Sequence, residues 1–161
     1  MNHFDYSKTK LVGEHNKTNF FCAYKVASFL VQRDIESEFQ EFINEFTGVK
    51  FRLQYLRTKN GINFYNDAKS TNSAATLAAV NSFDKNVSLS LILGGQLRDG
   101  SVDIQNEIDF SLIENVFVFG EARVLLEKHI KTKKLLSFER LEDILNYIKS
   151  KKIEGNLVFS P

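Results

Sequence analysis

Cysteine and proline are almost absent from this chain of 161 residues, with Cys22 and Pro161 the single example of each. One cysteine excludes an intrachain disulfide and any cysteine-based metal cluster, so a reduced, cytoplasmic setting is the plain reading. With the one proline in last place, turns must rely on Gly, Asn and Asp. No apolar run approaches the ~20 residues that a membrane span needs. The opening Met1-Asn2-His3-Phe4-Asp5 has no basic stretch followed by an apolar one, so no signal peptide is visible. A net charge of +1 gives no basic surface for nucleic acid or for an anionic membrane. Repeats and low-complexity segments are missing. So are a G-x-x-x-x-G-K-[ST] phosphate loop and a G-x-S-x-G nucleophile elbow. His3, His15 and His129 lie far apart without zinc-site spacing, so no metal ligands are assigned.

Hydrophobic residues make up 43% and charged residues 25%, which suits one α/β domain with a small appendage. Asn16 or Thr18 can cap a first helix carrying Phe20, Phe21, Tyr24, Ala27 and Val31 at helical spacing. A second follows Asp34, with Ile35, Phe39, Phe42, Ile43 and Phe46 on one face and Gly48 as its stop. The character then changes. Residues 51–56 alternate like a strand, Asn60-Gly61 is a hairpin turn signal, and 62–65 form the return. Further on, helices are predicted near 73–83, 121–129 and 141–151. Strands are predicted near 88–93, 115–119, 134–138 and 156–160. Such alternation implies a doubly wound, mostly parallel sheet with helices on both faces.

In such sheets ligands gather at the carboxyl ends of the strands. Asn66-Asp67-Ala68-Lys69-Ser70-Thr71-Asn72 follows one strand, Gly94-Gly95-Gln96-Leu97-Arg98 another, Gly120-Glu121 a third, and Ser160-Pro161 the last. Ser70, Thr71 or Asn72 can cap the next helix, whose N-terminus favours an anion. Asp67 suits sugar hydroxyls, Lys69 a carboxylate or phosphate, and Arg98 a carboxylate held by a planar fork. Taken alone, the Asn66–Asn72 segment reads first as a solvated turn with a good cap, and the Gly94–Arg98 segment as a flexible loop with a solvated arginine. The Gly13-Glu14-His15-Asn16 run with Asn19 reads first as a helix cap and second as a base-binding edge.

Taken together and in order, these segments resemble the Mur ligases of peptidoglycan synthesis, in their D-glutamate-adding branch. Gly13-x-His15-Asn16-x-x-Asn19 is similar to the family's G-x-H-N-x-x-N. Thr47-Gly48-Val49-Lys50-Phe51-Arg52 is similar to its F-x-G-L-P-H-R turn. Residues 62–72 closely resemble I-N-D-S-K-A-T-N. Leu91-Ile92-Leu93-Gly94-Gly95 resembles L-L-G-G, and Leu157-Val158-Phe159-Ser160-Pro161 resembles L-L-S-P.

The resemblance implies an ATP- and Mg2+-dependent ligase. ATP phosphorylates the carboxylate of UDP-N-acetylmuramoyl-L-alanine, and the amine of D-glutamate attacks the acyl phosphate. It implies adenine contacts at Asn16 and Asn19, and nucleotide ribose and phosphate contacts at Arg52 and Asp67. Lys69 would meet the muramoyl carboxylate, and Thr71 and Arg98 the D-glutamate carboxylates. Residues 1–48 would be a helical remnant of the central ATP-binding domain, and 49–161 a Rossmann-like C-terminal domain. The chain departs from the family at Lys50 for Pro, Phe51 for His and Arg98 for Lys, the last altering a shaped carboxylate site. The N-terminal and central domains, with their phosphate loop and magnesium ligands, are expected as missing partners, and so is the A-S-x-D-x-F segment after Pro161. The expectation is an inactive fragment that binds no cofactor alone, with its final strand left exposed. The alternatives are a non-catalytic nucleotide- or amino-acid-binding module of the same fold, and a folylpolyglutamate-type relative.

Overall fold

A computed structural model of the chain describes residues 4–96 and 108–161. By its internal contacts the chain divides into Met1–Val49 and Lys50–Pro161. No described helix is long and apolar enough to cross a membrane.

The first unit holds α1 (His15–Val31) and α2 (Glu36–Glu45). Phe20, Phe39 and Ile43 close on Phe4 in an aromatic core, with Tyr24 set edge-on to Phe4 at 5.0 Å. Neither expected cap opens α1. The helix starts one residue before Asn16, at His15, after Glu14, which makes no capping bond. Asn16 Nδ2 instead donates back to the Val12 carbonyl at 2.8 Å. Val31 of the expected apolar face is exposed, as are Phe29 and Leu30. Helix α2 stops at Phe46, whose backbone turns extended, before Gly48 is reached.

The second unit is a six-stranded sheet in the order β1-β2-β6-β3-β4-β5. Its strands are β1 (Gln54–Lys59), β2 (Ile62–Asn66), β3 (Leu89–Gly95), β4 (Asn115–Gly120), β5 (Leu135–Ser137) and β6 (Gly155–Phe159). Between them run α3 (Ser73–Val80), α4 (Arg123–His129) and α5 (Leu141–Ser150), with a short 3-10 turn at Phe110–Leu112. Strands β1 and β2 pair antiparallel, and every other neighbouring pair is parallel. The turn between β1 and β2 has Asn60 at φ 53° and Gly61 at φ 79°. Two positive φ values in succession match the twist of a tight hairpin and explain the Asn-Gly pair.

The period-2 alternation of the parallel strands sorts the core onto two faces. Leu91, Leu93, Val116, Val118 and Val158 pack with Leu126 of α4 on one face. Ile92, Phe117 and Leu157 pack with Ile144 and Ile148 of α5 on the other. Phe117 is fully buried, and burial of such a ring contributes about 2–3 kcal/mol. This is the α/β doubly wound arrangement read from the sequence.

In the second unit three further expectations are corrected. The first strand begins at Gln54 instead of residue 51, because Phe51 (φ 67°) and Leu53 (φ 40°) are left-handed and cannot continue a pleat. The helix predicted to residue 83 ends at Val80, where the Ser82 hydroxyl bonds the Ala78 carbonyl at 2.7 Å. The final strand is not exposed. β6 lies inside the sheet, hydrogen-bonded to β2 on one edge and β3 on the other, with Leu157 and Val158 buried.

Candidate functional site

Parallel pairing brings the carboxyl ends of β2, β6, β3 and β4 to one rim. Asn66 is in register with Phe159, Phe159 with Ile92, and Gly94 with Phe119. The loop from Asn66 to Asn72 leaves this rim. Asn72 caps α3, its Oδ1 accepting from the Ala75 N–H at 2.8 Å. Of the three capping candidates, the structure selects Asn72.

Asp67 is the anchor of the loop and is only 7% exposed. Its N–H donates to the Phe159 carbonyl at 2.8 Å, and its Oδ1 accepts the Leu53 N–H at 2.8 Å. Burial pushes its carboxyl above the ordinary value of 3.8. The Leu53 N–H, the Ser70 hydroxyl and the positive charge of Arg52 pull partly the other way. The Lys69 N–H donates to the Phe51 carbonyl at 3.0 Å, so the left-handed turn at 51–53 is tied to the loop at two points. Arg52, Lys69 and Thr71 are exposed on these two connected segments. Asp67, Lys69 and Thr71 thus share one rim of the sheet, with Arg52 joined to it through the Leu53–Asp67 bond. Arg98 lies outside the described residues.

Asn16 and Asn19 belong to the other unit. Asn19 Nδ2 donates to Asn16 Oδ1 at 3.3 Å. With Asn16 also bonded to Val12, the exposed Asn19 keeps the more accessible polar edge. Three hydroxyl residues complete the rim: Thr76, not singled out in the sequence, Ser70, read there as a possible cap, and Ser160, placed there only by position. Ser70, Thr76 and Ser160 are buried hydroxyls. The Thr76 Oγ1 lies 3.3 Å from Ser70 Oγ and 3.1 Å from Ser160 Oγ. The available signal was small hydroxyl residues at a helix start and at a strand end, where apolar side chains would otherwise fill the core.

Gly94 shows why β3 ends in glycine. Its φ is +142°, and a Cβ there would collide with the Phe119 carbonyl of β4. An open groove of about 520 Å³ lies at the opposite rim, lined by Ser88, Glu114, Asn115, Tyr147, Lys151 and Glu154 among others. Its mixed charges do not converge on one point. Among the described residues, no three His, Cys, Asp or Glu side chains gather as a metal site.

No family profile matches the chain. Individual relatives do. The UDP-N-acetylmuramoylalanine–D-glutamate ligase of Koribacter versatilis is 30% identical over 148 residues, 92% of this chain and 32% of that enzyme. The same ligase of Caldicellulosiruptor saccharolyticus is 33% identical over 138 residues, 85% of this chain and 29% of that enzyme.

The chain is related to the Mur ligases.

It spans about a third of the length of the curated Mur ligases it matches. Solved structures agree on the fold. MurF from Acinetobacter baumannii superposes with a TM-score of 0.62 at 21% identity, covering 91% of this chain and 34% of that one. Folylpolyglutamate synthase from Thermotoga maritima superposes with a TM-score of 0.67 at 20% identity, covering 94% of this chain and 37% of that one. The MurF ligase of Thermotoga maritima, solved in complex with ADP, gives a TM-score of 0.60 at 15% identity, covering 83% and 31%.

Proposed function

We propose that this chain forms part of an ATP-dependent acid–amine ligase that joins D-glutamate to UDP-N-acetylmuramoyl-L-alanine in the cytoplasm. The observation that carries the reading is the identity of 30% across 92% of the chain with a ligase of that name. The rim supports it with two exposed cations, Arg52 and Lys69, and an exposed hydroxyl, Thr71, held on loops anchored by a buried carboxylate. The sister ligases and folylpolyglutamate synthase share the fold at 21% identity or less, so the D-glutamate branch rests on the closer sequence match.

ATP, when bound, supplies the phosphoryl group that activates the acid. The residues of this chain bind and orient. Arg52 neutralises phosphate charge, and Asp67 serves the nucleotide side through the turn it holds. Lys69 draws in the acid's carboxylate, Thr71 and Arg98 hold D-glutamate, and Asn16 and Asn19 meet the adenine edge. A cation beside two converging anions removes their repulsion and fixes the angle of attack. The described residues offer no carboxylate cluster for Mg2+, and no role in metal binding is assigned to them. Residues 1–48 are taken as the end of a central nucleotide-binding domain and 49–161 as the domain that closes on it. Catalysis then needs the partner domains, and this chain alone is inactive.

Titration of the isotope-labelled chain, followed by amide resonances, tests the reading. D-Glutamate should shift the amides of 69–72 more than L-glutamate does. ADP should shift those around Arg52. Incubation with ATP and both substrates should release no ADP. Amides of 69–72 that stay unmoved by D-glutamate would sink the assignment. Equal response to either enantiomer, with no partner domain able to restore ligation, would favour a binding module.

A further inference from the structure

We propose that Thr76 is a positioning residue, whose hydroxyl locks the loop bearing Lys69 and Thr71 to the end of β6. The inference rests on the ligand role proposed for that loop, and its first test does not.

The geometry is a buried junction of three hydroxyls. Thr76 Oγ1 sits 3.3 Å from Ser70 Oγ, 3.1 Å from Ser160 Oγ and 3.3 Å from the Asn72 carbonyl oxygen. A threonine hydroxyl has one proton and two lone pairs, enough for three contacts, and Thr76 makes three. Ser70 stands between Lys69 and Thr71 in the loop. Ser160 is 84 positions from Thr76 in sequence, and its N–H donates to the Ile92 carbonyl of β3 at 2.9 Å. The Asp67 N–H adds a second tie, to Phe159 at 2.8 Å. Thr76 therefore links the loop with the exposed Lys69 and Thr71 to the end of β6, and Ser160 carries the link on to β3, two residues before Gly94.

Burial makes the link consequential. All three hydroxyls are shielded from water, so a lost partner is not replaced by solvent and the orphaned group carries its full desolvation cost. A hydroxyl here specifies the loop's position more than it adds to the core.

The experiment compares the chain with Thr76→Val, which keeps the branched shape, and Thr76→Ser, which keeps the hydroxyl. Amide hydrogen exchange is read first, without ligand. In Thr76→Val the amides of Lys69, Ser70 and Ser160 should exchange about tenfold faster, while Phe117 in β4 is unchanged. Thr76→Ser should restore all three. D-Glutamate titration is read second. Its half-saturating concentration should rise about tenfold in Thr76→Val and return in Thr76→Ser. If Thr76→Val does not fold, Ser160→Ala removes one arm and should still speed exchange at Lys69. Unchanged exchange at Ser160 and Lys69 overturns the proposal, and so does a Thr76→Ser variant as impaired as Thr76→Val. A wild-type chain that ignores D-glutamate but shows the coupled exchange defeats the functional reading and leaves the lock intact.

Discussion

The Leu53 N–H rests 2.8 Å from Asp67 Oδ1, so a left-handed turn hangs on a buried carboxylate. That turn carries Arg52. Its backbone at Phe51 and Leu53 occupies a region that costs of order 1 kcal/mol per non-glycine residue. The bond to Asp67 is what offsets it. Asp67→Ala should therefore lower stability by about 1–3 kcal/mol, the cost of an orphaned buried N–H, as read by urea unfolding.

Asp67→Asn keeps an acceptor oxygen and removes the charge. The folded state holds the Asp67 proton to a higher pH than the ordinary 3.8 because burial disfavours the carboxylate. In the window above 3.8 the native state binds more protons than the unfolded chain, so this group's stabilisation is present below 3.8 and is lost as pH rises through the folded value. The difference in unfolding free energy between wild type and Asp67→Asn should grow in favour of wild type as pH falls from neutral toward 3.8. A difference that is flat with pH, or grows the other way, contradicts the buried-carboxylate account.

Gly94→Ala should be among the most damaging single changes in the sheet. The added methyl meets the Phe119 carbonyl, which β4 cannot withdraw, at a φ of +142°. A loss of roughly 2–4 kcal/mol is expected, from strain plus displaced pairing. Thermal unfolding measures it, and a drop no larger than that of Ala78→Gly on the exposed face of α3 would refute the close approach.

Asn72→Ala removes the side-chain cap bond from the Ala75 N–H at the start of α3. The expected loss is about 1 kcal/mol. Asn72→Asp, which keeps the acceptor, should lose less. Equal loss in the two variants would show that Asn72 acts by another route.

Lys69→Ala and Arg52→Ala remove exposed cations, and their stabilities should stay within about 0.5 kcal/mol of wild type. Their ligand responses should not survive. The expected pattern is a lost response to UDP-N-acetylmuramoyl-L-alanine in the first and a lost ADP shift in the second, with superimposable melting curves. Intact responses in both would remove the rim from consideration as the site.

The parts of this fold that were legible are those where one local signal dominates. Leu89–Leu93, apolar but for Ser90, read as a buried strand and Val116–Val118 as part of a strand, because two-sided burial favours apolar runs. Asn60-Gly61 read as a hairpin turn because few other pairs tolerate two positive φ values. The turn at 51–53 did not, because the apolar Phe51 and Leu53 mimic strand alternation while a bond from Asp67, 14 positions from Leu53, holds the turn. Nor did the burial of Asp67, since a carboxylate in a polar heptapeptide looks solvent-facing until Phe159 and Leu53 close over it. The role of Thr76 needed Ser160 beside it, and only the strand order brings them together.

That strand order governs how the chain comes together. β6, which follows β1–β5 in the chain, is inserted between the earlier β2 and β3, and Asn63 Nδ2 donates to Asn156 Oδ1 across 93 positions. Until β6 docks, the hairpin and the three later strands wait as separate half-sheets with raw inner edges, a state open to mispairing with other chains. Closure of this sheet therefore waits on residues 155–159, and pairing across so many positions makes it a late and entropically costly step.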